Sequence, residues 1–154
     1  MIGAAVLNEL KGIVGDDGVL FGHEDLLVYE CDGQTVFKHM PDVAVLPRSA
    51  EQVSAIVKLC ARRKIPFVAR GSGTSMSGGP VAAQGGVTIC LSRMNRIIEV
   101  DVRNQVVVVE PGVINNWVTD AVSGEGYYFA PDPSSQPVST IGGNIGHNAG
   151  GAHC

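Results

Sequence analysis

Apolar positions recur at helical spacing through Val6, Leu7, Leu10, Ile13 and Val14, which predicts an amphipathic helix over residues 4–14. Gly15-Asp16-Asp17-Gly18 ends it. From Phe21 to Met40 no period is kept, and the stretch reads as irregular chain. The pattern changes at Val43: Val43-Ala44-Val45-Leu46 is a continuous apolar run of the buried-strand type, closed by Pro47. Ser49 then stands as an N-cap with Gln52 in capping-box position. Val53, Ile56, Val57 and Cys60 line one face of the helix that follows, and Arg62, Arg63 and Lys64 suit its negative end. After Pro66, Phe67-Val68-Ala69 is a second strand. A strand–helix–strand unit of about 25 residues is the ordinary way to make two strands parallel.

Val87-Thr88-Ile89-Cys90-Leu91 is a third strand. Ile97 to Val102 and Gln105 to Glu110 alternate around Arg103-Asn104 as a tight hairpin, broken by Pro111-Gly112. A helix over residues 114–123 should stop at Gly124. Beyond Tyr127-Tyr128-Phe129 the chain turns rich in Pro, Ser and Gly and regular periodicity is lost. The fold class is α+β: a small, mostly parallel three-stranded layer with helices, joined to part of a second, more antiparallel subdomain. Residues 1–40 form a helix and irregular lead-in, and residues 41–154 the domain proper.

Composition narrows the function. With 45 % hydrophobic and 17 % charged residues, 154 residues can bury a real core. A net charge of −4 leaves no basic face for nucleic acid. The apolar runs are too short to span a bilayer. The start, Met1 to Leu7, lacks a basic leader and is soon interrupted by Glu9 and Lys11, so an amphipathic helix is expected rather than an export signal. Cys31, Cys60, Cys90 and Cys154 show no C-x-x-C pairing, which indicates neither zinc nor a disulfide framework and makes a reducing cytoplasm the default. Cys60 and Cys90 fall on core faces as small hydrophobes.

The 20 glycines concentrate in two segments. The first is Arg70-Gly71-Ser72-Gly73-Thr74-Ser75-Met76-Ser77-Gly78-Gly79, directly after a strand. Small residues there free backbone N–H groups to converge on an anion, hydroxyls add donors, and Arg70 adds charge. That suits a pyrophosphate, with a flexible surface turn as the alternative. A G-x-G-x-x-G fingerprint would need glycine where Met76 stands, and a Walker A loop would need Gly-Lys-Ser/Thr where Gly78-Gly79-Pro80 stands. The second segment runs from Pro131-Asp132-Pro133-Ser134-Ser135 into Ser139-Thr140-Ile141-Gly142-Gly143-Asn144-Ile145-Gly146-His147-Asn148-Ala149-Gly150-Gly151. Its glycines allow close approach to a flat ligand, and Thr140, Asn144 and Asn148 can address that ligand's polar edge. Ile141 and Ile145 punctuate it with buried-type residues, which a free loop does not need. His23, beside Glu24 and Asp25, reads as a solvated loop, and His153-Cys154 offers no third ligand. No catalytic or metal-binding residue is assigned.

Taken together, R-G-S-G-T-S-M-S-G-G after a β-α-β unit, A-P-D-P-S-S and S-T-I-G-G-N-I-G-H-N-A-G-G resemble the FAD domain of the vanillyl-alcohol oxidase / para-cresol methylhydroxylase family, from about Asp32 to Cys154. Within it the chain is most similar to glycolate oxidase catalytic subunits and related D-lactate dehydrogenases. The resemblance implies that Arg70, Gly71, Ser72, Gly73, Thr74, Ser75 and Gly78 bind the FAD pyrophosphate. It implies too that Pro131, Asp132, Thr140, Gly142, Gly143, Asn144, Asn148, Gly150 and Gly151 line the cofactor near its ring and ribityl chain. His147 lies in this segment and points toward the ring or away from it. Some relatives attach flavin through a histidine in the first loop; none stands here, so FAD is expected to be non-covalent. Family members continue into a substrate domain carrying the metal and proton-abstracting histidines, so the chain is expected to be an amino-terminal fragment, inactive alone. The expected function is the FAD-binding part of a 2-hydroxyacid dehydrogenase. The alternatives are a relative of 2-hydroxyglutarate dehydrogenase or alkylglycerone-phosphate synthase type, or a non-catalytic flavin module. A 2-hydroxy acid held by the further domain and sibling electron-transfer subunits are the implied partners, and those subunits would be the route to any membrane association.

Overall fold

Helix α1 (Ala4–Val14) buries Leu10 and Val14 and ends on Gly15, whose φ of +83° no side chain readily tolerates and whose N–H closes onto the Lys11 carbonyl at 2.8 Å. This is a computed structural model that describes residues 2–154. The chain divides into two units, Met1–Arg93 and Met94–Cys154.

In the first unit, α1 is followed by strand β1 (Val19–Leu20), helix α2 (His23–Leu26), strand β2 (Val43–Val45), helix α3 (Ala50–Arg63), strand β3 (Phe67–Arg70) and strand β4 (Val87–Cys90). The sheet order is β1-β2-β4-β3. β4 lies parallel to both β2 and β3, and β1 is antiparallel to β2. The strand–helix–strand unit therefore spans two strands with β4 inserted between them. β1 is a fourth strand too short to carry a period, and α2 with a 3-10 turn at Leu27–Tyr29 occupies part of the stretch expected to be irregular.

The sheet is covered on both faces, which explains the unbroken apolar run of β2. Val43, Val45, Val87 and Ile89 pack with Leu10, Val14, Ile56, Leu59 and Cys60 from α1 and α3. Ala44, Leu46 and Cys90 pack with Leu26 and Tyr29. At the start of α3, Ser49 Oγ accepts the Gln52 N–H at 3.3 Å. The Gln52 side chain accepts from Arg48 N–H rather than from Ser49, and donates to the Ile13 carbonyl at 2.9 Å, so the cap also ties α3 to α1. Arg62 and Arg63 both reach Glu9 of α1.

The second unit holds an antiparallel hairpin of β5 (Ile97–Asp101) and β6 (Val106–Val109), irregular between Ile97 and Glu99. Its turn rests on Asp101 accepting the Asn104 N–H and on Gln105 at φ +57°. Helix α4 (Asn115–Val122) runs on through a 3-10 turn and stops at Gly126, two residues beyond the expected Gly124. The larger departure is helix α5 (Ile141–His147), which lies inside the glycine-rich segment expected to be a loop. Val113, Val118 and Ile141 form the core of this unit.

Ile56 is fully buried at the centre of the larger core. Ile56→Ala should destabilise the chain by about 2–5 kcal/mol, read as a lower urea midpoint with unchanged slope. Retention of the wild-type midpoint would contradict this packing.

Candidate cofactor site

The loop after β3 is shaped from behind. Arg70 is buried, and its guanidinium donates to the Cys31 carbonyl at 2.8 Å and to the Val28 carbonyl at 3.0 Å, while lying over the Tyr29 ring at 5.6 Å. Gly73, at φ +77°, rests on that guanidinium so closely that any Cβ would overlap it. The role of Arg70 is thus to brace the loop rather than to offer open charge. Cys90, also buried, brings its thiol to 3.8 Å from the Gly71 carbonyl.

Asp32 is the second brace. Its Oδ2 accepts the Gly78 N–H at 2.8 Å and its Oδ1 the Gln34 N–H at 2.9 Å, and beside it Gly33 N–H donates to the Ser75 carbonyl at 2.8 Å. Burial pushes the Asp32 carboxyl up, but the Gln34 and Gly78 N–H groups outweigh it and hold the carboxyl below its ordinary value. What remains outward is the polar edge: Ser72 and Ser77 are exposed, and a Cβ at Gly78 (φ +75°) would meet nothing within 4 Å. Asp32 and Gly33 were not among the expected site residues, although Asp-Gly is a turn signal of the kind that could have marked them.

In the second unit the expected residues come together around α5. Thr140 caps the helix by accepting the Gly143 N–H at 3.2 Å. Ile141 N–H donates to Val113 and Gly142 N–H to Pro111, and a Cβ at Gly142 would press to 2.7 Å from the Pro111 ring. Glycine at 142 is required by helix packing as well as by any ligand. Asn148 closes the helix in the left-handed region at φ +52°. Ile145, expected to be buried, is 77 % exposed, whereas Ile141 is buried as expected. His147 is exposed at the helix end, and His23 is exposed as expected, but on α2 rather than in a loop. Pro131 is held through its carbonyl by Asn115 Nδ2 at 3.0 Å.

Three polar atoms buried in this unit have no hydrogen-bonding partner among the described residues: Asn115 Oδ1, Ser139 Oγ and Asn144 Nδ2. Buried polar atoms are normally satisfied, so each of these is a candidate contact for a polar ligand. Sequence reading named Asn144, quoted Ser139 only as the first residue of the glycine-rich motif without assigning it to the site, and missed Asn115, which carries no distinguishing pattern of its own.

A protein-family model described as "FAD binding domain" matches residues 41–154. The chain belongs to the FAD-binding domain family. It is 40 % identical over 150 residues to glycolate oxidase subunit GlcD of Escherichia coli K12, covering 97 % of this chain and 30 % of that protein. Over 140 residues it is 38 % identical to a D-lactate dehydrogenase of Anaerostipes hadrus, covering 90 % and 28 %. A crystal structure of p-cresol methylhydroxylase with substrate bound superposes with a TM-score of 0.79 at 27 % identity, covering 94 % of this chain and 30 % of that one. The chain therefore spans less than a third of the length of these relatives, and within that span the resemblance and fold class read from its motifs are borne out. The residues also fit FAD. Outward glycine and serine edges suit a pyrophosphate, and the orphaned Asn144 amide and Ser139 hydroxyl suit the carbonyls and hydroxyls of a flavin and its ribityl chain.

Because the Asp32 carboxyl titrates lower in the folded chain than in the unfolded one, its stabilisation is present above the unfolded Asp range and lost as pH falls through the lowered value. Asp32→Asn should lower the urea midpoint at neutral pH, and the gap to wild type should close as pH approaches about 3. A gap that stays constant with pH would show that the charge of Asp32 contributes nothing.

Proposed function

We propose that this chain is the cofactor-binding part of an FAD-dependent oxidoreductase acting on a 2-hydroxy acid of the glycolate or D-lactate class. The observation that carries the reading is the orphaned Asn144 amide inside the matched family segment, beside the capped start of α5. Support for the substrate class comes from the relatives named glycolate oxidase subunit and D-lactate dehydrogenase.

Bound FAD would supply the redox chemistry by accepting a hydride equivalent. The residues of this chain bind and orient. Gly71, Ser72, Gly73, Thr74 and Ser75 receive the pyrophosphate on backbone N–H groups and hydroxyls, while Arg70, and Asp32 through the Gly78 N–H, fix their shape so that little ordering is left to binding. Asn144, Thr140 and the glycines 142, 143, 150 and 151 receive the flavin and ribityl portion, with Pro131, Asp132 and Asn148 shaping that segment. FAD is held non-covalently, since residues 71–79 contain no histidine to attach it. Proton abstraction and substrate recognition belong to parts of the architecture beyond the third that this chain matches. GlcD is by name a subunit, which supports sibling electron-transfer subunits as partners. No helix among the described residues is long and apolar enough to cross a membrane. A cytoplasmic site, with membrane association through those partners, is part of the proposal.

Purified chain titrated with FAD should acquire a protein-bound flavin spectrum, and Asn144→Ala should weaken binding by about threefold to tenfold, the worth of one hydrogen bond. A chimera in which this chain replaces the matched 150 residues of E. coli GlcD should reduce an artificial acceptor with glycolate. Absence of any FAD binding would sink the cofactor reading. FAD binding without glycolate- or D-lactate-dependent reduction in the chimera would sink the substrate class alone.

A further inference from the structure

After α5 the chain reverses at Asn148, and residues 149–154 fold back against the segment that precedes the helix. A single side chain makes most of that return. Asp132 Oδ1 accepts the main-chain N–H of His153 at 3.0 Å, and Asp132 Oδ2 meets His153 Nδ1 at 2.5 Å. Asp132 also forms a parallel bridge with Gly151, whose backbone (φ +116°) lies so near that any Cβ would overlap the Asp132 carbonyl and carboxylate oxygens. The Asp132 side chain is 17 % exposed, and the His153 ring stands edge-on to Tyr128 with centroids 6.4 Å apart.

One carboxylate thus takes two donors from one residue. The pairing fixes the imidazole with Nδ1–H toward Asp132 and draws residues 151–153 onto residue 132. His153 holds the Asp132 carboxyl below its ordinary range, first through its main-chain N–H and then through its ring. Ala149-Gly150-Gly151 has, by composition, the greatest backbone freedom of any segment around α5, and fixing each such residue costs roughly 1–2 kcal/mol. If that ordering were left to the ligand, it would be subtracted from affinity.

We propose that His153, acting through Asp132, is a positioning residue of the FAD site that holds Gly150 and Gly151 in the shape that receives the cofactor. The proposal rests on the FAD reading above and adds to it a residue that lies outside the glycine-rich segment and contacts the site through Asp132. The hydrogen bond to Asp132 requires a donor, not an imidazole, and this gives the proposal its test. His153→Ala removes the donor; His153→Asn replaces Nδ1–H with an amide N–H.

The measurement is FAD affinity of the 154-residue chain by quenching of flavin fluorescence, with circular dichroism and thermal unfolding on each variant. His153→Ala should weaken FAD binding by about tenfold with an unchanged unfolding midpoint, and His153→Asn should recover affinity to within about threefold of wild type. Should His153→Ala fail to fold, His153→Leu serves in its place: it keeps side-chain bulk and the main-chain N–H to Asp132, loses the ring donor, and should show the same loss. Wild-type affinity in His153→Ala overturns the proposal while leaving the FAD reading intact. So does a His153→Asn variant no better than the alanine, which would mean that the ring itself touches the cofactor. If wild-type chain binds no FAD, the cofactor reading falls first and this proposal with it.

Discussion

A glycine-rich loop cannot hold a shape on its own, and the first loop takes its shape from two charged side chains that face inward. The Arg70 guanidinium is gripped by the carbonyls of Val28 and Cys31, and the Asp32 carboxylate by the N–H groups of Gln34 and Gly78. Each charge is buried, and each is compensated by main-chain dipoles rather than by an opposite charge, so neither is left unpaired. The result joins residues 28–34 to residues 70–78 and turns a flexible sequence into a fixed rim. A loop so braced would lose little entropy on binding the pyrophosphate proposed for it.

The bracing rests on a sheet that is packed on both faces. β3 ends in Arg70 and β4 ends in Cys90, and their register places these two residues side by side. Val43, Val87 and Thr88 within the sheet are fully buried, with helices on one face and Leu26 and Tyr29 on the other. A parallel sheet buried on both faces is a scaffold that positions the loops at its strand ends. The same inward stretch that looked irregular in sequence supplies Tyr29, Asp32 and Gly33 to the platform.

What could be read from the sequence was whatever carries its signal locally. The cap at Ser49, the unbroken run of β2 and the hairpin of β5 and β6 are each local statements, and each is realised, although burial along β5 does not alternate: Ile98, Glu99 and Val100 are all exposed. The insertion of β4 between β2 and β3 is a long-range pairing that no local pattern encodes. Helix α5 was hidden for a different reason. Its glycines at 142, 143 and 146 depress helix propensity, and tertiary contacts with Val113 and Pro111 override that propensity. Arg70 was recognised as part of the loop but its direction was not, because a guanidinium serves equally well as an outward anion receptor and as an inward clamp for carbonyls. Asn115 and Ser139 are ordinary polar residues until burial makes them exceptional.

The two glycine-rich segments therefore solve one problem in different ways. In the first, glycine provides backbone angles and close approach, as at Gly73 against Arg70. In the second, glycine provides helix packing, as at Gly142 against Pro111, and the polar work passes to side chains. That division has an energetic consequence. An unpaired buried polar atom costs about 1–3 kcal/mol, and the second unit carries three of them at Asn115, Ser139 and Asn144. A ligand that paired with such atoms would return part of that cost as binding free energy. Bound ligand would then raise the stability of the unit by mass action, more steeply the tighter it binds. On the FAD reading proposed above, the orphans of the second unit would be the portion of the site completed by its cofactor.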